Sequence, residues 1–191
     1  MAYASANTRR IFWYNPLIGR KIYEIQPALS LVNETTADSI VSLYYAATMS
    51  NVVGSSAQQY NLLFDTAQYD PLSQYDIATG TFTAADSAWY DIQLRISLGG
   101  LNANHGQYTV QATYGPLASS VPITFVNLGN IGAQRATGNY FVGTYSSTIY
   151  LAATDLFGSL SVMASGLSGA DQTVDVIGDT FGTSLKIIKR L

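Results

Sequence analysis

YDIATGTFTAADSAWYDIQLRI, residues Tyr75 to Ile96, holds two strand-like runs joined by a short turn-rich segment. The first run, Thr81, Phe82 and Thr83, follows the turn signal Thr79-Gly80. The second alternates, with Trp89 on one face and Tyr90, Ile92, Leu94 and Ile96 on the other. A period of two sustained along a run of this length marks a half-buried β-strand. The two runs read as a hairpin. Gly80 lets the turn take a positive φ, and Phe82 and Tyr90 are expected to stack in a core between two sheets.

The flanking sequence is β-rich on both sides. Upstream, Tyr60 to Phe64 reads as a strand and Asp65 to Gln74 as a polar loop around Pro71. Residues 38–50 carry helical spacing at Ile40, Leu43, Tyr44 and Ala47, but Ile, Val, Tyr and Thr favour strand. Strand is the reading that agrees with everything after it. Downstream, Gly99 to Gly106 is a turn, Tyr108 to Tyr114 alternates, and Gly115-Pro116 breaks the run. Val121 to Asn127 is a strand, and Gly129, Gly132 and Gly138 mark a long loop. Tyr140 to Ala152 is a long strand with an expected bulge at Gly143; Leu160 to Ala164, Val174 to Ile177 and Ser184 to Ile188 follow. Roughly ten to twelve short strands with turns about every ten residues predict an all-β antiparallel sandwich or jelly roll.

Residues 38–191 are expected to form this one domain, preceded by an extension, residues 1–37. Within the extension, Ile11, Phe12, Trp13 and Tyr14 form an apolar run stopped by Asn15-Pro16. Four bulky apolar residues in a row are seldom left in water. They either complete the core of their own subunit or act as a docking arm on a neighbour.

Charge is scarce and unevenly placed. Charged residues make up 11% of the 191, against about 25% in ordinary soluble domains. A surface carried by Ser, Thr, Asn, Gln and 14 Tyr suits coverage by neighbours in an assembly. Seven of the nine basic residues lie near the ends: Arg9, Arg10, Arg20, Lys21, Lys186, Lys189 and Arg190. Residues 22–185 hold only two basic residues against all twelve acids, a net of −10. Chain ends often lie close together, so a basic pole on an acidic body is expected. It could contact acidic neighbours, face inward in a shell, or simply keep the ends soluble. Sequence pI near 4.8 argues against strong nucleic-acid binding.

Catalytic constellations are not apparent. The chain has no cysteine, so disulfides, thiolate metal sites and cysteine nucleophiles are excluded. The one histidine, His105, sits in an Asn/Gly-rich turn and has no evident catalytic partner in the sequence. No Gly-x-Ser-x-Gly or Gly-rich phosphate loop occurs. Asp65, Asp70 and Asp76 gather oxygen donors around one loop; calcium takes six to eight such oxygens, but aspartates in loops more commonly cap turns. No metal and no cofactor is expected. Asp171, Asp175 and Asp179 read as a solvated strand face, and Asn33-Glu34-Thr35 fits a glycosylation acceptor. Neither a signal peptide nor an apolar run long enough to span a membrane is apparent.

One stretch resembles a known family. Phe64-Asp65, Tyr69-Asp70, Tyr75-Asp76, Thr79-Gly80-Thr81-Phe82-Thr83-Ala84 and then Tyr90 are similar to the signature of the complement globular-head and tumour-necrosis-factor-like superfamily of jelly rolls. Tyr150 to Asp155 followed by Leu160-Ser161-Val162 resembles that family's Gly-Asp strand entry, and Phe181-Gly182 before Leu185 its closing strand. Ala85, Ala88 and Thr154 stand where the family has Pro, Gly and Gly. The resemblance implies a jelly-roll fold. It also implies a symmetric trimer, with residues of the Phe64, Tyr75, Gly80, Phe82 and Tyr90 signature serving the core and the contact between subunits.

Two settings fit. Composition, missing cysteines and the aromatic extension point to a non-enzymatic virion or capsid protein. Such a protein would be a vertex, minor coat or spike subunit, made in the cytoplasm, that assembles with itself as a pentamer or trimer and with neighbouring coat proteins. The alternative, which the resemblance supports directly, is a secreted trimeric recognition module acting outside the cell.

Overall fold

The computed structural model describes residues 12–15, 20–23, 40–54, 59–134, 136, 138–166, 173–179 and 181–190. Its contacts divide the chain into two units, Met1–Ala37 and Asp38–Leu191. In the first unit, β1 (Phe12–Asn15) and β2 (Arg20–Tyr23) pair antiparallel, with Phe12 opposite Tyr23 and Asn15 opposite Arg20.

The second unit begins with β3 (Ile40–Tyr44), β4 (Met49–Gly54), β5 (Gln59–Asn61), β6 (Thr66–Tyr69), β7 (Tyr75–Asp76) and β8 (Thr81–Thr83). It continues with β9 (Ala88–Gly99), β10 (His105–Gly115), β11 (Val121–Leu128), β12 (Phe141–Leu151), β13 (Leu156–Gly166), β14 (Thr173–Val176) and β15 (Ser184–Lys189). These strands make two antiparallel sheets. In the first, β12 pairs with β9, β9 with β15, β15 with β3 and β3 with β6. β14 takes the place of β15 beside the far end of β9 and carries β4 on its other side. In the second sheet the order is β11, β10, β13, β8, β7, with β5 sharing one edge of β13 with β8. Strands adjacent in sequence repeatedly land in opposite sheets, which is jelly-roll topology.

Alternation builds the core. Along β9, Tyr90, Ile92, Leu94 and Ile96 are buried while Trp89 and Gln93 are exposed. Val41 and Leu43 repeat the pattern on β3 of the same sheet, and Tyr108, Val110, Val162 and Ala164 on β10 and β13 of the facing one. Each large apolar side chain taken fully from water contributes about 1.5–3 kcal/mol. Helical spacing in residues 38–50 loses to β propensity: the segment forms β3 and the start of β4.

The opening hairpin reading needs correction. β8 does not pair with β9. It turns back on β7, with Tyr75 opposite Phe82, and lies in the second sheet, whereas β9 runs through the first. Ala84 to Ser87 carry the chain from one sheet to the other, pinned by Ala84 N–H to the Asp155 carbonyl at 2.9 Å. The bulge expected at Gly143 is absent: β12 keeps unbroken register with β9 from Phe141↔Leu98 to Leu151↔Ala88. Gly143 is small for another reason, because a Cβ there would collide with the Tyr145 hydroxyl. The polar loop expected from Asp65 contains a strand, β6, which adds to the edge of β3.

Candidate interaction face

Asp70 and Asp76 cap their own turns, whereas Asp65 ties its loop to the segment after β3. The Asp65 carboxylate accepts the Ala46 N–H at 2.8 Å and the Thr66 hydroxyl at 2.9 Å. Asp70 accepts the N–H groups of Gln74 and Tyr75, both at 2.9 Å. Asp76 accepts the Ala78 N–H and the Thr79 hydroxyl at 2.9 Å. These bonds hold the Asp76 carboxyl below its ordinary range, the Thr79 hydroxyl first among the causes. Among the described residues, no group of three or more His, Asp or Glu is placed to hold a metal ion. In the later acidic set, Asp179 caps its turn by accepting the Phe181 N–H, while Asp175 accepts the Asn51 N–H from β4. Asp171 and Asn33 lie outside the described residues.

The aromatic signature lies in the interior. Phe64, Tyr75, Phe82 and Tyr90 are all buried within the subunit. Phe82 meets Tyr90 edge-on at 5.5 Å, and Phe64 meets Tyr75 at 6.4 Å and Tyr45 at 5.1 Å. Hydroxyls at the core margin are anchored: Tyr90 donates to the Asp86 carbonyl at 2.9 Å, and Tyr75 accepts the Phe64 N–H at 3.3 Å. Burial pushes the Tyr75 hydroxyl up to about 12. Gly80 has φ +68, and a Cβ there would strike Leu63. His105 is buried where β10 begins, and its Nδ1 accepts the Asn102 N–H at 3.0 Å.

The basic residues fall into separate groups. Arg9, Arg10 and Ile11 lie outside the described residues, and Phe12, Trp13, Tyr14, Arg20 and Lys21 are described as backbone in β1 and β2. At the C-terminal strand, Lys189 pairs with Asp86 at 2.6 Å and Arg190 with Asp91 at 2.9 Å. Lys186 is exposed on the same strand and makes no ion pair among the described residues.

What the structure assembles instead is the outer face of the first sheet. At one end, Trp89 of β9 lies opposite Tyr150 of β12; the rings meet edge-on at 5.6 Å with about half of each residue exposed. The next rung pairs Asp91 with Thr148, whose hydroxyl donates to the carboxylate at 2.6 Å. That bond, then Arg190, holds the Asp91 carboxyl below its ordinary range. Gln93 lies opposite Ser146 on the following rung and Arg95 opposite Thr144 on the last. A shallow cleft of about 360 Å³ runs over Asp91, Gln93, Ser146, Thr148 and Arg190.

The other end of this face is apolar. Val142 lies opposite Ser97, which the loop between β14 and β15 fastens. The Thr183 hydroxyl accepts the Ser97 N–H at 3.1 Å and donates to its carbonyl at 3.3 Å. Asp179, at φ 124, donates its N–H to the Tyr45 carbonyl at 2.8 Å. A Cβ on Gly178 would overlap the backbone of Ala47. This fastened loop presents Phe181 with 80% of its surface exposed, and Tyr140 and Val142 are half exposed. Alternation in the sequence placed Trp89 outward. Phe181 gave no such signal, because its exposure depends on how the loop is tied to β3 and β9.

No family model matches the chain, and no curated protein sequence matches it. Among solved structures, murine APRIL at pH 8.0 is 10% identical, covering 80% of this chain and 98% of its own, with a TM-score of 0.52. Murine APRIL at pH 8.5 is 8% identical over 80% of this chain and 98% of its own, with a TM-score of 0.50. The globular domain of zebrafish complement 1qA is 13% identical over 80% of this chain and 97% of its own, with a TM-score of 0.49. At these identities the likeness to APRIL is one of fold.

Proposed function

We propose that this chain is a non-enzymatic recognition module that works as a symmetric homo-oligomer, a trimer, outside the cell. The observation that carries self-assembly is the apolar rim of Tyr140, Val142 and Phe181. Large apolar side chains held out into water, Phe181 by a loop with several fixed points and Val142 by strand β12, mark an interaction surface, and buried aromatics dominate the energy of such contacts. The fold shared with APRIL and the sequence resemblance over residues 60–96 both support the recognition reading. The virion-subunit reading has composition, the missing cysteines and the aromatic extension behind it, all of them read from sequence. The signature aromatics are spent inside the subunit, so the contact is assigned to the rim and not to them.

Mass in solution tests this. Wild type is expected to run as a trimer, and Phe181→Ser with Val142→Asp as a monomer of unchanged thermal stability. A monomeric wild type refutes self-assembly. A pentamer or larger closed shell refutes the trimer and restores the virion reading. Residues 1–37 are proposed as an arm engaging neighbouring copies; a chain of residues 38–191 that assembles normally refutes that role.

A further inference from the structure

The cations of the second unit are concentrated. That unit carries ten acids, yet its four described basic side chains, Arg95, Lys186, Lys189 and Arg190, all come from β9, from β15 or from the residue after it. Two are neutralised by Asp86 and Asp91. Arg95 and Lys186 are exposed and make no ion pair among the described residues; Lys186 lies opposite Gln93. Along this face an aromatic pair is followed by a polar cleft, with Lys186 beside its Gln93 and Arg95 on the next rung.

We propose that the outer face of β9 from Trp89 to Arg95, with the cleft over Asp91, Gln93 and Arg190 at its middle, binds an anionic saccharide, a sugar chain bearing a carboxylate. A pyranose offers a C–H face and a rim of hydroxyls. The C–H face fits the exposed flank of Trp89, whose ring Tyr150 holds in place. The side chains of Gln93 and Ser146 make no hydrogen bond among the described residues and can serve sugar hydroxyls. Arg190 spends its Nε on Asp91, which leaves its terminal amino groups to donate. Lys186 and Arg95 supply the counter-charge for the carboxylate. Trp89 and Arg95 are six steps apart along β9, about 20 Å at ~3.3 Å per step, room for several rings in a row. The cleft volume, about 360 Å³, is that of a small-ligand site. A neutral sugar would leave both cations unused, and an acidic peptide would have no use for the aromatic platform.

The test titrates the intact protein with 3′-sialyllactose, tetragalacturonate and lactose, following tryptophan fluorescence in a Trp13→Phe background and ligand-observed NMR, with mass recorded alongside. At least one acidic sugar is expected to bind more tightly than lactose, and less tightly as salt rises. Trp89→Ala should weaken that binding about tenfold or more, Lys186→Gln should flatten its salt dependence, and Trp89→Tyr should restore part of the affinity. Equal binding of lactose overturns the assigned charge chemistry. Polyglutamate competing equally in wild type and Trp89→Ala reduces the face to a charged patch and overturns the saccharide. Dissociation of the oligomer by Trp89→Ala makes this end an assembly contact and overturns the site. Loss of the trimer in Phe181→Ser with sugar binding retained leaves this proposal standing while the role of the rim is judged separately.

Discussion

Thr154 occupies a backbone position that favours glycine, so Thr154→Gly is expected to stabilise the protein. Its φ is +73. A left-handed backbone costs an L-residue roughly 1–2 kcal/mol through the clash of Cβ with the following carbonyl. Removing that strain is opposed by the extra freedom of glycine in the unfolded chain, about 0.5–1 kcal/mol. Nothing else is lost, because the side chain is exposed and makes no hydrogen bond among the described residues. The bonds that pin this turn are kept: Thr154 N–H to the Ala84 carbonyl at 2.8 Å, and Ala152 N–H to the Asp155 carboxylate at 3.0 Å. The balance is about 0.5–1 kcal/mol in favour of glycine, or about 1–4 °C in Tm for a chain of this size. Urea unfolding should show a higher midpoint with unchanged slope. Ala153→Gly is the control: Ala153 is exposed but has no positive φ, so glycine there should lower the midpoint. A Thr154→Gly midpoint at or below wild type, or the same sign at both positions, refutes the strain assigned to this turn.

Phe82→Ala should cost about 3–5 kcal/mol, read by urea titration, because it opens a cavity against Tyr90 between the sheets; a loss below about 1 kcal/mol, the size of a surface change, would contradict its core position. Tyr75 titrates near 10 when unfolded and about 12 when folded, so its contribution is complete below pH 10 and is lost as pH rises from there towards 12. Tyr75→Phe should flatten that alkaline decline in Tm, and an unchanged decline would show that the hydroxyl is not protected by burial. The folded Asp91 carboxyl lies below its ordinary 3.8, so its stabilisation is present above that value and is lost as pH falls through the folded one. Asp91→Asn should lower Tm at neutral pH and shrink the fall towards acid, and an acid limb identical to wild type would remove Thr148 and Arg190 as the cause.

Strand content, the burial of Phe82 and Tyr90, and the outward placement of Trp89 were all legible in the sequence, because each depends on a period of two that the pleat imposes on every strand. The resemblance of residues 60–96 reached the same fold. Thr154 is the instructive departure: the family's glycine is missing, yet the backbone keeps the glycine conformation, since the bonds from Ala84 and Asp155 set the turn whatever residue stands there. Ala88 is the opposite case, taking an ordinary strand conformation paired with Leu151. The caps formed by Asp65, Asp70 and Asp76 were within reach as loop chemistry, but which N–H each accepts depends on turns a linear reading does not close.

Local pattern alone indicates most of the strands and which way their side chains alternate, but not β6, which forms in a polar segment because β3 offers it an edge. Tertiary structure decided which strands meet. Tyr75 to Ile96 looks like one hairpin, but β8 and β9 belong to opposite sheets, because both need a partner along their full length and β12, β13 and β15, distant in sequence, supply it. The same long-range pairing sets Tyr150 against Trp89, Arg190 against Asp91 and Lys186 beside Gln93. Residues up to about a hundred positions apart thus become one face, and no spacing rule within the chain encodes that neighbourhood.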